Sequence, residues 1–384
     1  MERITHRFII LFSIALLSMQ LIATNKKDSN SIYFYVGTYT DKQSEGIYLF
    51  SINRDSGILT NHGLAAKSQD PSFLTMTRDQ RFLLAVNETK DTLHQGMGAI
   101  ESFSINAQSR KLRPISKVLS GGAHPCFISV NNSGYVLTAN YTGGNFAMFK
   151  LSDSGKLSNY IDLQQHVGSG PIRDRQAGPH VHSAYFEPFT NRIFVADLGT
   201  DQIGVSLLDE QKSKLLNPII STIQIKPGSG PRHIAFHSAL KVMYVVNELS
   251  NDVSVITLNK DNTFTTIETV STLSKENTIT SNCADIHLSK DNRFLYASNR
   301  GFNSIAIFSV DQLTGRLTLI DQEMTHGATP RNFSLTPDND FLVVANQNSE
   351  DIVSFRRNLN TGKLEFLDKI KAFKPVCILF PNNK

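Results

Sequence analysis

The chain carries a set of residues that could perform acid–base chemistry on an anionic small molecule. GPHVHS supplies His180 and His182, GPRH supplies Arg232 and His233, and Glu248, Arg300, Arg331 and Glu88 follow related apolar segments. Imidazole is the side chain whose proton affinity lies nearest neutrality, so a histidine here is a natural general base. Guanidinium forks hold carboxylates, phosphates or a developing oxyanion. His180 and His182 are two residues apart and would face one way on a strand, a possible pair of zinc ligands, but no third ligand has suggestive spacing and no metal is assigned. There is no GxSxG elbow for a serine nucleophile. The two GSGP segments, 168–171 and 228–231, lack the following helix of a phosphate loop and read as turns. The bland alternative is that some charges pair internally, as Glu248 with Arg300.

These residues have to be positioned by something, and the chain shows a repeat. FLLAVNE, YVLTANY, IFVADLG, MYVVNEL, FLYASNR and FLVVANQ are apolar, β-branched and aromatic runs closing on Asn or Asp, with YFYVGTY a weaker copy. Ahead of these runs stand DPSF, HPCF, GPHVH, GPRH, NCADI and TPRNF, and KPVC closes the series near the carboxy terminus; the motifs recur every 45 to 54 residues. A third strand and a short fourth follow each pair. About four strands per roughly 50 residues is the period of a propeller blade. The expected fold is therefore all-β: a seven-bladed β-propeller with four strands per blade. KPVCILF at the carboxy terminus is expected to join YFYVGTY, closing the ring through the first blade and removing exposed edges.

In such a ring, equivalent positions lie at equivalent heights around the axis. The residue after the motif Pro, or after Cys283 which replaces it, runs Ser72, Cys126, His180, Arg232, Ala284, Arg331, Val376. The residue after the strand-ending Asn or Asp runs Glu88, Tyr141, Leu198, Glu248, Arg300, Gln347. Recurring residues, Asn87, Asn140, Asp197, Asn247, Asn299 and Asn346, are assigned a folding role. The non-recurring polar ones, in blades four to seven, are the candidate site.

Composition limits the alternatives. Of 384 residues 40% are hydrophobic and 19% charged, which permits a large core. The net charge is +4, with no dense basic block and no Trp, so nucleic acid is not an expected partner. Cys126, Cys283 and Cys377 form no CxxC and read as small buried hydrophobes. Residues 1–23, with Arg3, Arg7 and the run FIILFSIALLSMQLIA, read as a secretory signal or a retained anchor; 24–31 read as a linker and 32–384 as a single propeller domain. Export to the periplasm or exterior follows, the alternative being a cytoplasmic protein. No stable membrane domain is expected once the signal is removed, and a closed ring without unpaired edges suits a monomer.

GPHVHSAYFEP with IFVADLG, GPRHIAFH with MYVVNEL, and NRFLYASNRG resemble the propeller-type lactonase family over about residues 32 to 381. Its members include bacterial 6-phosphogluconolactonase and the fungal carboxy-cis,cis-muconate cyclase. The resemblance implies a seven-bladed propeller that opens or closes lactone rings on anionic substrates without a metal or other cofactor. The family's His, Arg, Glu and Arg fall on His182, Arg232, Glu248 and Arg300, with His180, His233, Arg331 and Glu88 left to bind substrate. Hydrolysis of a sugar-acid lactone, 6-phospho-D-glucono-1,5-lactone first, is the expected reaction. A muconate-type cyclase and a non-catalytic exported binding propeller are the alternatives. A phosphorylated sugar lactone is made and used in the cytoplasm, so that substrate and an export signal pull in opposite directions. The four catalytic candidates are expected to line a wet funnel and tolerate substitution, unlike the packed Phe127.

Overall fold

The computed structural model describes residues 30–381 except 42, 91–95, 189 and 275–278. The signal assigned to residues 1–23 lies outside the described residues.

Seven four-stranded antiparallel sheets are arranged as blades, and in six of them the four strands are consecutive in sequence. The blade pattern follows from burial. In the second strand of a blade, both faces lie against neighbouring blades, and such strands read as unbroken apolar runs. Phe82–Asn87, Tyr135–Asn140, Val242–Asn247 and Phe341–Asn346 are buried throughout. The outermost strands, such as Leu112–Leu119 and Leu364–Lys371, alternate because one face meets water. Between blades the core is aromatic and aliphatic, with Phe34, Phe146, Phe194, Phe308 and Phe355 among the largest fully buried side chains. The buried hydroxyls of Tyr244 and Tyr296 donate to Gly315 O and Gly362 O, so even these rings leave no orphan donor.

The ring closes as the repeat requires. Pro375–Leu379 pairs with Ser31–Thr38 and becomes the innermost strand of blade 1. Innermost strands touch their neighbours all the way round, including Pro375–Leu379 against Leu74–Met76 of blade 2. In blades 2, 3, 6 and 7 the segments between first and second strands are hairpin turns with a left-handed residue, at Gln80, Gly134, Asn292 and Asn339.

The strand-ending amides have the folding role assigned to them. Asn140 Nδ2 donates to Ser120 O and Asn145 Oδ1, and Asn346 Nδ2 to Thr325 O and Asp351 Oδ1. Each ties its strand to the next strand and to the chain entering the blade. Blade 4 has Asp197 instead because its partners are donors: His180 N–H, Gly199 N–H and His166 Nδ1.

One helical turn, Arg173–Gln176, interrupts the β architecture in the segment leading into blade 4. It follows the first GSGP closely, which corrects the reading that no helix follows that segment. Among the described residues no helix is long and apolar enough to cross a membrane.

Candidate active site

The innermost strands place a β-bulge near the axis. In blade 5 Pro231 faces Asn247 and His233 faces Val246, so Arg232 is the extra residue. Cys126 and Arg331 are extra in the same way in blades 3 and 7. A bulge re-aims the side chain it inserts. In blade 4 it is Val181 that faces Asp197, and His182 is the inserted residue. The ring position assigned to His180 therefore belongs to His182, because GPHVHS runs two residues longer than its counterparts. His180 instead matches Gly230: its carbonyl accepts from Leu198 N at 3.0 Å, as Gly230 O accepts from Glu248 N at 2.7 Å.

At the centre stands Glu248. Its Oε2 accepts from Arg232 Nε at 3.0 Å and from Arg300 at 2.8 Å, and its Oε1 accepts from Arg175 at 2.5 Å. The internal pairing of Glu248 with Arg300 is thus real, as part of a four-residue cluster. Burial pushes the Glu248 carboxyl up, but Arg300, Arg232 and Arg175 outweigh it and hold it down at about 2. Arg232 is fixed further by Ala284 O, and Arg300 by Cys283 O at 2.8 Å. Arg300 Nε is buried with no partner among the described residues.

His182 lies beside this cluster. Its Nδ1 is 3.8 Å from Cys126 Sγ, and its ring meets Tyr141 and His233 edge-on. Burial, then Arg232 and the other cations, lowers its pKa well below the ordinary value. The expectation of a histidine near neutrality is corrected accordingly: desolvation beside guanidiniums keeps this imidazole neutral. Burial pushes the Cys126 thiol up, so it is no nucleophile. All three cysteines are free and buried, but Cys126 belongs to the site floor rather than to an interblade core.

The remaining candidates separate. His180 stacks on Tyr141 with ring centroids 4.5 Å apart. Arg331 and Glu88 form a second pair at 3.9 Å, with Tyr39 donating to Glu88 at 2.8 Å. His233 is only 3% exposed and sits behind Arg232, its Nδ1 donating to Asp285 Oδ1 at 2.7 Å. Asp285 also accepts from His287 and Asn332, so one carboxylate ties together blades 5, 6 and 7. Exposures of 2% for Arg232 and 4% for His182 and Glu248 correct the picture of a wholly wet funnel: the polar floor is desolvated, and its groups are held by one another.

Residues 33–380 match the family described as Lactonase, 7-bladed beta-propeller. The chain belongs to that family. It is 36% identical over 301 residues to 6-phosphogluconolactonase of Bacillus subtilis, covering 78% of this chain and 83% of that one. It is 37% identical over 307 residues to 6-phosphogluconolactonase of Formosa agariphila, with 78% and 85% covered. The structure of the periplasmic gluconolactonase of Pseudomonas aeruginosa superposes with a TM-score of 0.85 at 30% identity, covering 91% of this chain and 99% of that one.

Three residues of the site are not singled out by the sequence. Arg175 comes from a loop outside the repeat, and the repeat gives no reason to place it at the axis. Asp285 lies one residue beyond the ring series, in the only motif among the seven that has Cys in place of Pro. Tyr141 was in the ring series, but an aromatic at a propeller axis is as easily packing as site.

Proposed function

We propose that this chain hydrolyses a sugar-acid lactone carrying an anionic group, with 6-phospho-D-glucono-1,5-lactone as the lead substrate. The observation that carries the reading is the charge of the cluster. Arg175, Arg232, Arg300 and Arg331 face the two carboxylates Glu248 and Glu88, leaving an excess of two positive charges around a neutral imidazole. A desolvated cationic excess suits an anion and a developing oxyanion.

In this reading the lactone carbonyl lies against Arg232 and Arg300. Water attacks C1 and gives its proton to His182 at Nε2, since Nδ1 is turned to Cys126. The oxyanion is held by the guanidiniums, the bond from C1 to the ring oxygen breaks, and the departing oxygen takes the proton back from His182. Substrate charge near Arg232, Arg300 and Arg331 opposes the field that depresses His182, so its basicity rises when the anion is bound. Glu248, held at about 2 by its three cations, orients the guanidiniums rather than taking a proton.

The apolar run at residues 8–23 supports export, as does the likeness to a periplasmic gluconolactonase. A mature chain beginning near residue 24 in a periplasmic or extracellular fraction is the expected result, and a full-length cytosolic chain would refute it.

The deciding experiment is a pH-stat panel of phosphorylated and unphosphorylated gluconolactones and muconate-derived lactones. Acid release fastest on the phosphorylated sugar lactone is expected. Preference for the aromatic-derived lactones would point to cyclase-type chemistry, and no rate above background on any would end the enzyme reading.

A further inference from the structure

Glu248 has three guanidiniums, and they are not held alike. Arg232 is fixed by Glu248, Ala284 O and the blade frame, and Arg300 by Glu248 and Cys283 O. Both bond to the same oxygen, Oε2. Among the described residues Arg175 alone takes Oε1, and its guanidinium's one other bond runs to Tyr141 OH at 3.4 Å. Its side chain is 37% exposed, against 17% for Arg300 and 3% for Arg232.

The backbone beneath Arg175 is nevertheless pinned. Gln176 is fully buried; its Nε2 donates to Leu198 O at 2.9 Å and its Oε1 accepts from Ile172 N at 3.1 Å. Gly170 N donates to Gln176 O, and a Cβ on Gly170 would fall 2.5 Å from the Gln176 amide, so glycine lets the strap seat closely. The helical turn is thus a fixed post, and the half-exposed side chain is its arm. When that arm leaves, Glu248 keeps both cations on Oε2 and stays ionised, while Oε1 becomes free.

We propose that Arg175 is the phosphate receptor of this site: it covers Glu248 Oε1 until substrate arrives, transfers to the substrate's phosphate on binding, and by leaving exposes Oε1 to a substrate hydroxyl. The charge count favours Arg175 for this task over Arg331. Arg331 has a carboxylate of its own in Glu88, whereas Arg175 shares one that two buried guanidiniums already neutralise. The inference rests on the lactonase reading above and specifies its substrate class.

The test compares full-length wild type, Arg175→Ala and Arg175→Lys on 6-phosphogluconolactone and on unphosphorylated gluconolactone. Loss of an ionic hydrogen bond to phosphate corresponds to roughly 10–100-fold in kcat/KM. The Ala variant should lose at least tenfold more on the phosphorylated lactone than on the other, with the Lys variant between. Equal loss on both lactones, or no loss, overturns the proposal. Calorimetric titration with 6-phosphogluconate and with gluconate separates this from the fate of the lactonase reading. If wild type hydrolyses neither lactone but binds 6-phosphogluconate over gluconate, and Arg175→Ala abolishes that preference, the enzyme reading fails and the receptor stands. If wild type shows no such preference, the receptor falls too. Should Arg175→Ala unfold, Arg175→Gln, which keeps the stem, answers the same question.

Discussion

Glu248 and Glu88 occupy the same place in the repeat, each directly after a strand-ending Asn, and Arg232 and Arg331 share the bulge position. Their surroundings differ. Around Glu248 three guanidiniums lie within 3.0 Å, and the carboxylate is 5% exposed. Glu88 has a tyrosine hydroxyl at 2.8 Å, a single guanidinium at 3.9 Å and 15% exposure. The scaffold fixes where a side chain stands, and the neighbouring blades decide what it becomes. One arc is an over-cationic, desolvated cluster beside His182; the other is a single, more loosely paired carboxylate and guanidinium. Chemistry belongs in the first, where preorganised charge is worth most and where Arg175 is the arm proposed for the phosphate; the second adds a further contact to the substrate.

The largest separation between the arcs should appear in turnover. His182→Ala is expected to lower kcat on the preferred lactone by roughly 10²–10⁴, the usual range for a general base, with little change in KM. A comparable fall in kcat for Arg331→Ala would erase the distinction. Stability should separate them next. Glu248→Gln leaves three guanidiniums around a neutral amide, and breaking a buried charge cluster in this way costs about 3–5 kcal/mol. Glu88→Gln should cost about 1 kcal/mol, the worth of an ordinary hydrogen bond. Urea unfolding followed by circular dichroism gives both numbers, and equal losses would break the comparison. Phe127→Ala, expected at about 3–5 kcal/mol, calibrates the scale, since Phe127 packs against Phe73, Tyr185 and His233 at the centre of the ring. Arg331→Ala should then act through recognition, raising KM for an anionic lactone by roughly tenfold while kcat is kept.

The architecture was legible because it is periodic. Apolar runs closing on Asn, at blade spacing, determine seven sheets, and an orphan KPVCILF determines how the ring closes. Site legibility tracked the same periodicity. Arg232, Glu248, Arg300 and Arg331 stand at repeat positions and meet at the axis as the repeat requires. His182 was displaced from its repeat position by two extra residues; the GPHVHS motif offered it beside His180, and the resemblance to lactonases chose between them. Arg175 was illegible because a strap between blades carries no period; its position depends on Gln176 filling a buried slot. The depressed basicity of His182 was illegible for another reason: a pKa reports three-dimensional charge and solvent exclusion, which a motif does not contain.

The last contrast is the pH dependence of stability, and it should reside in the cationic arc. His182 and His233 are both held neutral, His182 well below the ordinary 6.5 and His233 at about 4, burial being the first cause in each and Arg232 the second. For a histidine whose folded-state pKa lies below its unfolded value, the unfolded chain binds the proton first. Its stabilising contribution is complete above about pH 6.5 and is lost as pH falls toward the folded value, at up to about 1.4 kcal/mol per pH unit per group. Glu248 acts in a lower window: its folded value of about 2 lies below the ordinary 4.5, so its contribution is present above 4.5 and lost between there and 2. Urea midpoints should therefore be level from pH 8 to about 6.5, fall from 6.5 to 4, and keep falling below 4.5. His233→Gln replaces one of the two neutral imidazoles with an amide that does not titrate, so the slope between pH 6.5 and 4 should drop by about half. Arg331→Ala removes one of the lesser charges that act on His182 and should leave most of that slope in place. An unchanged slope in His233→Gln would mean that the acid sensitivity arises outside the cationic arc, and that burial beside Arg232 is not what holds these imidazoles neutral.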